Sequence, residues 1–160
     1  VEHAREAAGH VAAGAQRAGR APGDVEVVAL LPCTVAEDAE EARERMRGPI
    51  ALYAASFPRY RRLMAGAGFA AEVEAVRRAW EAGDPAQAVR LVPEGHIPAI
   101  SVAGTVEECR QRIEAYRQAG VALPVVSPRV AGKDAQHQAM EAIEACAPRS
   151  RPESIVGDGR

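Results

Sequence analysis

The side chains best placed to do chemistry in this sequence stand where two apolar runs stop. The first run, V-E-V-V-A-L-L at 25–31, leads into Pro32-Cys33-Thr34; the second, V-A-L-P-V-V at 121–126, leads into Ser127-Pro128-Arg129. In α/β barrels the reacting groups sit at the C-terminal ends of the strands, which makes Cys33, Thr34, Ser127 and Arg129 the candidates for the rim of a small-molecule pocket. Arg129 leads them, because a guanidinium presents a planar fork that suits a phosphate or carboxylate. Its plainer alternatives are a solvent-facing loop arginine or a structural ion pair. Cys33 reads more readily as a small buried residue than as a nucleophile, since free cysteine is among the most buried residue types. Lys133 lies close enough in sequence to reach the same mouth, or is simply solvated.

The remaining reactive residue types make weaker patterns. His3, His10, His96 and His137 are dispersed, with no i, i+4 pair that would set up a metal site. Cys33, Cys109 and Cys146 are odd in number, far apart and outside any C-x-x-C pair, which argues against a zinc site or disulfide framework and for a reducing, cytoplasmic setting. Tyr53, Phe57 and Tyr60 recur at helical spacing, as a pocket entrance for an apolar substrate would require, or as core and oligomer interfaces do. Gly66-Ala67-Gly68 is no phosphate loop, for it lacks the preceding strand and the spacing.

These candidates need elements to hold them. The clearest runs from 104 to 128, G-T-V-E-E-C-R-Q-R-I-E-A-Y-R-Q-A-G-V-A-L-P-V-V-S-P. Thr105 and Glu108 have capping-box spacing, Val106, Cys109, Ile113 and Tyr116 form an apolar stripe, and Gly120 closes the helix before a short buried strand. A second helix–turn–strand unit precedes it. Residues 2–18 make a helix with a small-residue face (Ala4, Ala7, Ala8, Val11, Ala12, Ala15, Ala18), and 25–31 make a strand with little alternation, as expected when both faces are covered. Between the units the pattern is helical. A Glu/Arg-rich helix covers 36–47, with Gly48-Pro49 a kink or a new start. An aromatic stripe follows at 50–64, then a stop at Gly66–Gly68 and a helix at 70–82. Asp84-Pro85 restarts a helix over 86–92. Residues 93–103, with Pro93, Gly95 and Pro98, read as irregular or as a broken helix. Asp134 caps a last helix to 145, with Ala139, Met140, Ile143 and Cys146 as its inner stripe. The Arg-, Pro-, Ser- and Gly-rich residues 148–160 read as a disordered tail.

The totals set bounds on function. The 160 residues suffice for one domain with a core, and 20 basic against 22 acidic residues leave a formal charge of −2, so no electrostatic nucleic-acid binder is indicated. No apolar run approaches the roughly 20 residues that a membrane helix needs. The chain opens at Val1 in mid-helix pattern without a methionine, which reads as a piece of something longer. Strands that each follow a helix lie parallel with right-handed crossovers, and two parallel strands cannot stand alone. A complete (β/α)8 barrel takes about 250 residues. The fold expected is therefore α/β and predominantly helical: the C-terminal part of a (β/α)8 TIM barrel over 1–147, with two parallel strands and a helical insertion at about 36–103.

At this point the residues resemble a known family. The stretch G-T-V-E-E-C-R-Q-R-I-E-A-Y-R-Q-A-G-V at 104–121 is similar to the C-terminal segment of the luciferase-like monooxygenase superfamily. Three further pieces match in the same order: A-Q-R-A-G-R-A-P-G-D-V-E-V-V-A at 15–29, Y-A-A-S-F-P-R-Y-R-R-L-M-A-G-A-G-F at 53–69, which resembles the insertion of a deazaflavin-type subgroup, and L-P-V-V-S-P at 123–128. E-G-H-I-P-A-I-S at 94–101 departs from the uninterrupted helix expected there. The resemblance implies a flavin- or deazaflavin-dependent oxidoreductase on a TIM barrel, using FMN or the deazaflavin coenzyme F-420 on a small organic substrate. It also implies that catalytic groups and most of the cofactor site come from earlier strands, so that this stretch supplies barrel wall and pocket rim. The competing reading is a non-catalytic helical α/β protein that forms homo-oligomers through its open strands and the 53–64 stripe.

Overall fold

The computed structural model describes residues 1–130 and 132–148; the tail expected to be disordered lies, from 149 onward, outside the described residues. The chain forms α1 (Glu2–Arg17), β1 (Val28–Val35), α2 (Ala39–Ser56), α3 (Pro58–Met64), α4 (Ala70–Glu81), α5 (Pro85–Arg90), α6 (His96–Ile100), β2 (Val102–Gly104), α7 (Val106–Gln118), β3 (Leu123–Pro128) and α8 (Ala135–Cys146). The strands make one parallel sheet in the order β2-β1-β3. It is the mostly helical α/β architecture expected, with three strands where two were read.

The extra strand is short for a physical reason. β2 spans only Val102–Gly104 and pairs with Cys33, Thr34 and Val35 at the far end of β1. Three residues carry no periodicity, so nothing local distinguishes them from loop. The preceding α6 is the broken helix anticipated at Pro98, which sits in the first turn, where its missing N–H has no intrahelical partner to lose. β1 also begins and ends later than expected and runs through Pro32-Cys33-Thr34 rather than stopping there. Pro32 is opposite Ser127 in the β3 register, and β2 pairing starts only at the next residue.

Two apolar cores result. One lies between the sheet and α7 and α8 and holds Leu31, Cys33, Val35, Val102, Cys109, Ile113, Tyr116, Val121, Ala142 and Ala145, with Val1 and, from α1, Ala4 packed against it. The other lies wholly within the excursion between β1 and β2, built from Met46, Ile50, Ala51, Ala54, Met64, Val73, Val76, Ala88, Val92 and Ile97. That second core carries α2 straight through Gly48-Pro49. An interior proline costs a helix about 3 kcal/mol, and the buried side chains on either side, Met46 and Ile50, supply the offsetting contacts. The aromatic run does break at Pro58, which starts α3.

Caps follow the sequence at both well-marked starts. The Thr105 Oγ1 accepts from the Glu108 N–H at 3.3 Å while the Glu108 carboxylate accepts from the Thr105 N–H at 2.8 Å, and Asp84 Oδ1 accepts from the Gln87 N–H at 2.8 Å. Glu108 also pairs with Arg43 of α2 at 2.9 Å. Its carboxyl is held below the usual range, first by the Thr105 backbone hydrogen bond, then by Arg43. The expected cap at Asp134 is absent, because its side chain makes no bond to the first turn of α8. The inner stripe of α8 is corrected too: Ala142 and Ala145 are its buried residues, while Met140 and Ile143 are about half exposed. Alanines let α8 lie close to β1 and β3, and this rotates the larger side chains outward.

Candidate functional site

Parallel strands place their C-terminal ends together, and the four candidates accordingly gather at one end of the sheet. Alternation then sorts them by face. Leu31, Cys33 and Val35 turn toward α7 and α8 and belong to the core there. Val28, Leu30, Pro32 and Thr34 take the opposite face of β1, beside Leu123, Val125 and Ser127 of β3. This second face is open for most of its length, with Val28 55%, Leu30 65% and Leu123 52% exposed. Cys33 is therefore removed from the pocket rim, being wholly buried on the helix side of the strand.

Thr34 lies on the open face but is covered where α2 begins. Its Oγ1 donates to the Ala42 carbonyl at 2.7 Å, which fixes the insertion to the mouth of β1 and leaves the hydroxyl engaged. Ser127 is partly exposed, opposite Pro32. Arg129 continues the β3 ladder by one bond, its N–H donating to the Cys33 carbonyl at 2.7 Å. Its guanidinium lies 5.7 Å from the centre of the Tyr53 ring, a cation–π contact worth about 0.5–1 kcal/mol near the surface. Among the described residues no carboxylate pairs with it. Tyr53 is in turn held by Phe57, with ring centres 5.0 Å apart, and by Tyr60 edge-on at 4.9 Å. The aromatic stripe thus orients an arginine that no carboxylate among the described residues pairs. Lys133 is exposed on the following loop.

The chemistry available here is recognition of an anion beside an apolar wall. Arg129 supplies charge and directed N–H groups, Ser127 a hydroxyl, and Leu30 and Val125 an exposed apolar surface on the same face of the sheet. A phosphate or carboxylate group fits that donor set.

Two features escaped sequence reasoning. His96 is buried and stacks on Phe69 with ring centres 4.5 Å apart, and its Nε2 has no hydrogen-bond partner. Burial holds its pKa below the ordinary 6.5, with Glu72 pulling weakly the other way. The unfolded chain therefore binds the proton more readily than the fold does, so stability is full above the ordinary histidine pKa and falls as the pH drops below it, by up to about 1.4 kcal/mol per pH unit until the folded pKa is reached. Urea midpoints measured from about pH 7 to about pH 5 should show this loss and should show it reduced in His96→Leu; equal losses in both proteins would refute it. The second feature is the convergence of all three cysteines between β1, α7 and α8. Their contacts span 75 and 113 positions, and such separations leave no local signal. No group of three or more His, Cys, Asp and Glu side chains suited to a metal ion occurs among the described residues, and no helix among them is long and apolar enough to cross a membrane.

Comparison with known proteins supports the same architecture. No curated protein sequence matches the chain. Among solved structures, it is similar to the coenzyme F420-dependent tetrahydromethanopterin reductase from Methanopyrus kandleri, with a TM-score of 0.72 and 27% identity over 88% of this chain. It spans 40% of that enzyme's length. The model of one protein family, described as luciferase-like monooxygenase, matches residues 1–123, covering α1, the sheet's central strand, the whole insertion and α7. With three-quarters of its length matched by that model, this chain belongs to the luciferase-like monooxygenase family.

Proposed function

We propose that this chain is the C-terminal part of a flavin- or deazaflavin-dependent oxidoreductase acting on a small organic substrate, and that it forms barrel wall and pocket rim. The observation that carries the reading is the similarity to the F420-dependent reductase over most of this chain but only 40% of that one. A bound deazaflavin or FMN would supply the hydride chemistry, or oxygen activation in the case of reduced FMN. The residues here bind and orient. Arg129, and with it Ser127, would hold a phosphate or carboxylate of cofactor or substrate; Tyr53 keeps the guanidinium aimed; the apolar face of β1 and β3 keeps water from the ring system. Most of the cofactor site would come from other strands of the barrel.

The open edges fit this reading. Among the described residues, β1 is unpaired on its β2 side from Val28 to Pro32, and β3 pairs with β1 alone. Both edges would be closed by neighbouring barrel strands. The same exposed surfaces, together with Leu52, Phe57, Tyr60 and Leu63 on the insertion, would serve self-association in a non-catalytic protein. Two measurements separate the readings. In a protein carrying the complete barrel, Arg129→Ala should raise the Kd of F420 or FMN, or the KM of an anionic substrate, about tenfold, the usual cost of losing a hydrogen bond to a charged group. If both constants are unchanged, Arg129 has no part in the site. Fluorescence titration of these 160 residues alone with FMN and with F420, alongside a mass measurement, should show no tight binding. Tight binding would contradict a cofactor site made mostly by other strands, and a discrete oligomer that ignores both cofactors would favour self-association.

A further inference from the structure

The cysteine cluster is a second site with chemistry of its own. Cys33 Sγ and Cys146 Sγ are 3.8 Å apart, one in the C-terminal half of β1 and the other on the last residue of α8. They differ in access. Cys33 is completely buried, whereas Cys146 is partly exposed and lines a groove of about 500 Å³ between α7 and the C-terminal end of α8, with Arg110, Gln111, Glu114 and Pro148 also on its wall. Cys109 is buried and directs its thiol at the carbonyls of Thr34 and Gly104, at 3.7 and 3.6 Å.

Electrostatics separates the pair further. A helix C-terminus ordinarily disfavours a thiolate, because its free carbonyls are partly negative. Here Arg110 covers that end, its Nε donating to the Ala145 carbonyl at 2.7 Å. The Cys33 thiol and the Arg110 charge pull the Cys146 pKa below its ordinary value. Hydrogen bonding to Cys109 and Cys146, together with burial, pushes the Cys33 thiol far up. One sulfur is thus the reachable one, with its ionisation eased, and its neighbour is a buried thiol in contact with it, the arrangement of an attacking and a resolving cysteine.

We propose that Cys146 is oxidised by hydroperoxides and that Cys33 resolves the product to a disulfide joining α8 to β1. In the first step the Cys146 thiolate attacks one peroxide oxygen; the S–O bond forms, the O–O bond breaks, and hydroxide leaves to become water, or an alcohol from an organic peroxide. Cys146 is now a sulfenic acid, oxidised by two electrons. In the second step Cys33 Sγ attacks Cys146 Sγ; the S–S bond forms, the S–O bond breaks, and the oxygen leaves as water with the proton of the Cys33 thiol. The sum is two thiols and one peroxide giving one disulfide and two waters. The sulfurs must close from 3.8 Å to about 2.05 Å. Cys146 is the last residue of α8, and its fraying end can absorb that movement. The bond would lock the last helix onto the strand whose far face ends at the pocket mouth.

Treating the protein with hydrogen peroxide and counting free thiols tests this. The expected result is a fall from three titratable thiols to one, with peptide mapping placing the cross-link between Cys33 and Cys146 and dithiothreitol restoring all three. In Cys33→Ser, Cys146 should be trapped as a sulfenic acid by a cyclic diketone probe while Cys109 stays unlabelled. Cys146→Ser, at a partly exposed position, should keep both remaining thiols reduced, and it serves as the folded control should Cys33→Ser prove unstable. Three thiols surviving peroxide, a cross-link through Cys109, or Cys146 passing to sulfinic acid without a cross-link would each overturn the proposal.

Discussion

Replacing Ile97 by alanine should lower the stability of the protein by about 2–5 kcal/mol, the range for removing a buried aliphatic side chain and leaving a cavity. Ile97 has no exposed surface and packs in the insertion core with Met46, Val73, Val76 and Val92. Its helix is only five residues long, too short to hold itself by local hydrogen bonding, so the side chain holds the helix rather than the reverse. The loss should spread, because the Ser101 hydroxyl donates to the Ile97 carbonyl at 2.5 Å and β2 begins at the next residue. The single tryptophan, Trp80, packs against the same core, so its fluorescence reports the insertion directly. Urea unfolding followed at Trp80 should show the midpoint falling in Ile97→Ala and falling by about a third as much in Ile97→Val, where the expected cost is about 0.5–1.5 kcal/mol. An Ile97→Ala loss below about 1 kcal/mol would mean that the insertion has no such core.

The second large effect is expected at Gly120, the hinge between α7 and β3. Its φ is +96°, and a Cβ there would lie 2.8 Å from the Ala8 Cβ of α1. Alanine would add the left-handed backbone cost of about 1–2 kcal/mol to an overpacking cost of about 1–3 kcal/mol. Neither part relaxes easily, because the obstructing atom is attached directly to a helix backbone and has no flexible stem. Gly83 separates the two contributions: its φ is +81°, and a methyl group added there would meet nothing within 4 Å. Thermal or urea unfolding should therefore rank Gly120→Ala well below Gly83→Ala. Equal losses would show that α1 does not press on the turn.

Both predictions bear on the site. The mouth of the sheet is made by β1 and β3, and the arginine there is aimed by an aromatic residue of α2. Loosening the insertion would free Tyr53, and displacing α1 from Gly120 would shift the start of β3. In a barrel enzyme either change should be felt as poorer positioning of the bound group rather than as altered chemistry.

Local grammar was strongest where one residue type has one physical use. Thr105 with Glu108, Asp84 with Pro85, and Gly120 after the α7 stripe each mark a helix end through an orphan backbone group or a left-handed turn, and the structure has all three. Parallel strands followed from the helix between them, since that connection permits little else. The reading failed where pattern was short or packing decided. β2 has too few residues to show a period, Pro49 is tolerated because a core on both sides holds α2, and the α8 stripe is rotated because its alanines pack closest.

The candidate site divides in the same way. Position at the strand ends was legible for Thr34, Ser127 and Arg129, because strands in parallel sheets share a C-terminal end. Which face each side chain takes depends on the strand's register against its neighbours, and this turned Cys33 away from the mouth and into the helix layer. By itself the sequence determined the helix ends, the parallel handedness and the family to which these residues are similar. Only the tertiary structure decided that Tyr53 faces Arg129, that His96 is buried, and that Cys33, Cys109 and Cys146 meet. Each is a contact across many positions of chain, set by how whole elements pack and not by what any residue's neighbours in sequence prefer.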